Sequence, residues 1–110
     1  MRNGRLYLDD IIQACNKIIN YTDNISHDDF IKDDKTIDAV VRNLIIIGEA
    51  ARLIPNDIKK KLPELDWPAI IGLRNIVTHE YFGVDVDEIW KTIQEDIPLL
   101  KQSVMKIKDT

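Results

Sequence analysis

Within residues 74–83, RNIVTHEYFG, stand an arginine, an amide, a histidine and a tyrosine: Arg74, Asn75, His79 and Tyr81. The whole chain has 2 histidines, so few of its groups can exchange a proton near neutral pH. An imidazole takes a proton from a hydroxyl or gives one to a leaving oxygen. A guanidinium grips a phosphate with a planar fork and stabilises the charge that builds during displacement. An RNA strand brings its own nucleophile, the 2′-hydroxyl. Arginine plus histidine therefore suffices in principle to cut it, with no metal and no side-chain nucleophile. Positioned acid–base help of this kind is worth roughly 10²- to 10⁴-fold in rate.

Geometry limits what these residues do alone. At about 100° per residue on an α-helix, Asn75 and His79 share one face, while Arg74, Thr78 and Tyr81 share another to within roughly 20°. Arg74 and His79 are five positions apart, so about 140° separates them. Either the reach of arginine or a second copy of the helix across a dimer axis must bring them together. The ordinary alternative is that arginine and histidine near a helix end meet its dipole, with Tyr81 a semi-exposed aromatic packing nearby. Spacing alone leaves both readings open.

The elements that must hold this segment read as helices. From Leu8 to Ile19 apolar residues recur at three and four, predicting an amphipathic helix that ends near residues 21–24. Ser26, with Asp29 three positions on, predicts a capped short turn. KTIDAVVRNLIIIGEAARLI, residues 35–54, is apolar almost all round in its middle. It reads as the most buried helix or as one at a subunit interface. Pro55 stops it or opens a short helix, PNDIKKKL. Asp66 caps the next, with Pro68 in its first turn, and Gly83 closes it in a left-handed conformation. Asp85 and Glu88 start a last helix with a narrow apolar stripe from Val86 to Ile107, which Pro98 should kink or split. The expected fold class is all-α, an up-and-down bundle of four long helices plus one or two short ones, as a single domain over residues 1–110.

The totals agree. The chain has 110 residues, 45% of them hydrophobic and 31% charged, with only 4 glycines and 4 prolines, a balance that suits a folded helical domain. Cys15 is the single cysteine, so no intrachain disulfide forms and a cytoplasmic location is expected. No segment looks apolar enough to span a membrane, and MRNGRLYLDD turns acidic before a signal-peptide-like run develops. A net charge of −4 argues against a broad nucleic-acid-coating face. It permits one small cationic pocket.

Other polar residues carry two readings each. Glu49, inside IIIGEAARLI, is costly among apolar neighbours unless partnered. It either orients Arg74 or His79, or pairs on its own helix with Arg42 or Arg52. Gly48 beside it suits close helix packing. His27, next to Asp28 and Asp29, lacks metal-ligand spacing and reads as an exposed loop histidine. Lys59, Lys60 and Lys61 read as a solvated face or as an electrostatic approach for RNA. The acidic group Asp28, Asp29, Asp33 and Asp34 reads as solvation or as a surface for a basic partner. Trp67 and Trp90 sit within apolar patterns and read as core anchors. No metal or other cofactor is expected.

The motif resembles the signature of the HEPN superfamily: arginine, a polar residue, a few positions, then histidine. The continuation to Tyr81 is similar to the narrower HepT-like toxin subgroup, whose pattern is arginine, four residues, histidine, one residue, tyrosine. IIIGEAA at 45–51, DWPAIIGLRN at 66–75 and DEIWKTIQEDIPLL in the last helix resemble that subgroup too. The resemblance implies an RNase pair of Arg74 and His79, with Asn75 orienting the histidine or the phosphate. It implies a homodimer whose motif helices face each other and which assembles further with a partner. That partner would be a cognate antitoxin, a minimal nucleotidyltransferase, which modifies Tyr81 with AMP.

Two functions are therefore carried forward. One is the toxin of a toxin–antitoxin pair, a metal-independent RNA endonuclease silenced at Tyr81. The other is a non-catalytic module that binds nucleotide or partner alongside a nucleotidyltransferase.

Overall fold

The computed structural model of the chain describes residues 3–78 and 85–108. Its first helix, α1 (Gly4–Thr22), begins where the Asn3 side chain accepts the Arg5 N–H, four residues ahead of the apolar pattern. Leu8, Ile11, Ala14, Cys15 and Ile18 form its buried stripe. Asn24 follows at φ 63°, a left-handed turn that asparagine tolerates, and redirects the chain. In α2 (His27–Ile31) the Ser26 hydroxyl accepts the Asp29 N–H at 3.1 Å, as expected, and Phe30 is fully buried.

Helix α3 (Asp34–Leu53) is capped by Asp33, whose carboxylate accepts from both the backbone and the hydroxyl of Thr36. Those bonds, the hydroxyl first, hold the Asp33 carboxyl below its ordinary value. One acidic residue of the 28–34 group is thus a helix cap rather than mere solvation. Helix α3 packs on α1, on α2 and on the helix that carries Arg74, which explains why its middle is apolar round most of its surface. Of the two readings offered for it, the buried helix of a single chain accounts for Val40, Val41, Leu44, Ile47, Ala50 and Ala51.

Pro55 stands just outside the short α4 (Asn56–Lys59) as its N-terminal flank. Helix α5 (Trp67–Thr78) starts where Asp66 accepts the Ala69 N–H at 3.1 Å. Trp67 anchors this end: it is buried, its indole N–H donates to the Lys59 carbonyl at 3.2 Å, and the Lys59 ammonium lies 5.9 Å from its ring. That lysine is therefore not simply part of a solvated run.

Asp85 caps α6 (Val86–Lys91), which passes through a π-helical segment, Thr92–Asp96, into α7 (Ile97–Lys108). Pro98 has no N–H to give, and the wider turn just before it, with Ile97 N–H bonded to Thr92 O, absorbs the mismatch. Proline widens the helix here and leaves the chain running on as helix. The last turn returns to the first helix: Arg5 donates to the Lys108 carbonyl at 2.9 Å, and Lys108 pairs with Asp9. Four long helical rods (α1, α3, α5 and the α6–α7 run) and two short helices make up the described residues, with no strand among them.

Candidate active-site cluster

Gly48 is where the site begins. A Cβ at this position would lie 3.0 Å from the Arg74 nitrogen, 3.1 Å from the Ile71 carbonyl oxygen and 3.2 Å from the Arg74 Cβ. Backbone occupies most of that space, so only glycine lets α3 and α5 approach this closely. The next residue along α3 is Glu49, and the close approach sets it beside Arg74.

The two side chains meet directly. Glu49 Oε1 lies 2.7 Å from Arg74 Nε, a short charge-assisted contact. The other carboxylate oxygen, Oε2, accepts from Arg52 Nη2 at 3.2 Å. Glu49 thus pairs along its own helix with Arg52 and also reaches across to Arg74. Neither of these two ion pairs involves Arg42. The three side chains remain open to solvent, with relative exposures of 36% for Glu49, 50% for Arg74 and 51% for Arg52. Asn75 is exposed next to Arg74 on α5. His79 and Tyr81, and with them Gly83, lie outside the described residues.

His27 departs from its sequence reading. It is the first residue of α2 rather than part of a loop, and its Nε2 lies 2.7 Å from Asp87 Oδ1. Its ring stacks on Trp90 with centroids 5.6 Å apart and planes 3° from parallel, and Phe30 tilts against the same indole. A flat indole and a carboxylate on α6 make this half-exposed histidine a fastener between α2 and α6. The partners are sixty residues away, beyond anything local spacing reveals. Among the described residues no group of three His, Cys, Asp or Glu side chains is placed to hold a metal. No helix among them is long and apolar enough to cross a membrane. A mainly apolar groove of about 410 Å³, lined by Leu65, Ile70, Leu73, Ile97 and Leu100 among others, lies apart from the half-exposed Arg74 and Glu49.

The family model for HepT-like ribonucleases matches residues 11–107. The chain belongs to the HepT-like ribonuclease family. A relative in Thermococcus cleftensis, named as a candidate ribonuclease HepT, is 46% identical over 107 residues, covering 97% of each chain. Another in Methanocaldococcus jannaschii, named as a candidate RNase, is 42% identical over 103 residues and covers 94% of each. A third, from Caldanaerobacter subterraneus subsp. tengcongensis and named likewise, is 41% identical over 107 residues, 97% of this chain and 96% of its own. No solved structure gives a significant match. In this HepT-like chain the family match spans both helices of the Gly48 crossing, and the all-α bundle agrees with the expected fold.

Proposed function

We propose that the chain is a metal-independent endoribonuclease and the toxin half of a toxin–antitoxin pair. Arg74 and His79 act on one RNA phosphate, and a cognate nucleotidyltransferase silences the chain by moving AMP from ATP onto the Tyr81 hydroxyl, with pyrophosphate as the leaving group. The observation that carries this reading is the Glu49–Arg74 contact. It engages Arg74 through Nε, at 2.7 Å, and so leaves the terminal nitrogens outside that bond to fork onto a phosphate. A half-exposed ion pair of this kind adds only about 0–1 kcal/mol to stability. Fixing the direction of a guanidinium is the more substantial effect.

In the reaction the 2′-oxygen bonds to phosphorus as the bond from phosphorus to the 5′-oxygen breaks. One imidazole takes the 2′-hydroxyl proton, and another gives a proton to the departing 5′-oxygen. A homodimer supplies both imidazoles and removes the 140° separation within one helix. Arg74 stabilises the charge on the phosphoryl oxygens, and Asn75 orients the imidazole or the phosphate. AMP on Tyr81 adds a phosphodiester charge and a bulky nucleoside two residues from His79, which opposes RNA entry with no change of fold.

The test is cleavage in a chelator. Purified protein in excess EDTA should cut RNA to fragments ending in 2′,3′-cyclic phosphate, read by mass, and leave DNA of the same sequence intact, because DNA lacks the 2′-hydroxyl. Cleavage that needs added metal, or that extends to DNA, would contradict the proposal. The net charge of −4 favours a second reading, a non-catalytic nucleotide- or partner-binding module. That reading gives binding weakened by Arg74→Ala and no turnover at all.

A further inference from the structure

Arg52 is the member of the cluster to which the reading above gives no task. It closes the last turn of α3, where a cation meets the helix dipole, and its spacing to Glu49 favours a local pair. Those effects account for its presence on α3 but not for its place in a three-membered group. One carboxylate cannot neutralise two guanidiniums, so Arg52, Glu49 and Arg74 together hold a net charge of about +1 in a chain whose total is −4. Glu49 meets Arg52 at Nη2 and Arg74 at Nε. A guanidinium carries five N–H donors. Both side chains are half exposed. The surface thus presents two forks side by side, one carboxylate apart, on adjoining helices.

A nucleic-acid strand offers phosphates in succession, and two guanidiniums held on opposite oxygens of one carboxylate give each of two neighbouring phosphates its own cation. We infer that Arg52 is a second phosphate-binding residue, gripping the RNA phosphate next to the one held by Arg74. Glu49 then has two duties: it fixes both guanidiniums and keeps their mutual repulsion in check before RNA arrives. The inference rests on the reading of Arg74 as the residue that grips the phosphate being cut. It adds that the strand is held across the α3–α5 crossing, from the end of α3 to α5.

The test measures binding apart from cleavage. A short, single-stranded 2′-O-methyl RNA, which lacks the nucleophilic hydroxyl, is titrated with protein at several salt concentrations and followed by fluorescence anisotropy. Arg52→Gln should bind about tenfold more weakly. The slope of log affinity against log salt should become shallower by about 0.7, the value for one phosphate contact on a single strand. Arg52→Lys should keep most of the slope. Lys106→Gln, an equal charge change on α7, should alter neither quantity. A wild-type slope in Arg52→Gln, whatever its affinity, would overturn the inference and leave Arg52 as a support for Glu49 alone. If Arg74→Ala also binds like wild type, or if wild type binds no RNA, both this inference and the reading beneath it fall.

Discussion

At the residue scale, Glu49 shows how far side-chain chemistry can be read ahead of structure. A carboxylate among apolar residues had to have a partner, and the sequence offered Arg42 or Arg52 along its own helix and Arg74 or His79 from the motif. That Arg52 and Arg74 are partners at once depends on the angle between two helices, which local sequence does not encode. His27 is the contrasting case. Its neighbours Asp28 and Asp29 are the obvious ones in sequence, yet its bonds go to Asp87 and Trp90. Cys15 was legible in both respects, buried on the apolar stripe of α1 and unpaired. Burial pushes its thiol up to about 12, opposed only in part by Lys101. The folded thiol thus keeps its proton where the unfolded one loses it. Between about pH 9, the ordinary value, and about 12, stability should fall with rising pH by about 1.4 kcal/mol per unit from this group. The stability it protects is fully present below pH 9. Urea unfolding across that window should show the decline in wild type and a shallower one in Cys15→Ala. Equal slopes would mean that the thiol is not held neutral.

At the element scale the caps and stops were the most legible features. Ser26, Asp66 and Asp85 each accept a backbone N–H at a helix start, because a short side-chain oxygen is what the unpaired donors there require. Pro98 was legible as a disturbance, but whether it would bend, break or widen the helix depended on the surrounding packing. Gly48 and Gly72 look equivalent in sequence, each inside an apolar helix, and the structure separates them. A methyl group at Gly48 meets backbone on α5, while one at Gly72 meets nothing within 4 Å. Overpacking costs roughly 1–3 kcal/mol, and replacing a mid-helix glycine by alanine returns about 1 kcal/mol. Gly48→Ala should therefore lower stability by about 1 kcal/mol and Tm by several degrees. Because it pushes α5 outward, it should also reduce cleavage. Gly72→Ala should raise Tm. Thermal melts of the two variants decide this, and a Gly48→Ala protein as stable as Gly72→Ala would show that the close crossing is not needed.

At the scale of the whole molecule, helix order and the buried place of α3 followed from periodicity, because amphipathic stripes have to meet one another. What periodicity could not supply is any relation between Arg74 and a residue five positions on. The apolar middle of α3 that suggested a subunit interface is largely covered by α1 and α5 of its own chain. The proposed homodimer therefore rests on the family resemblance and on the separation of Arg74 from His79. Electrostatics at this scale add a constraint: RNA must approach a chain of charge −4, so its entry has to be local and strongly salt dependent. The most direct measurement is the rate of RNA cleavage in EDTA by wild type and by His79→Ala. The substitution should slow cleavage by about 10²- to 10⁴-fold while the circular dichroism spectrum stays helical. An equal rate in the two proteins would contradict the account, because the imidazole would then have no part in moving the proton.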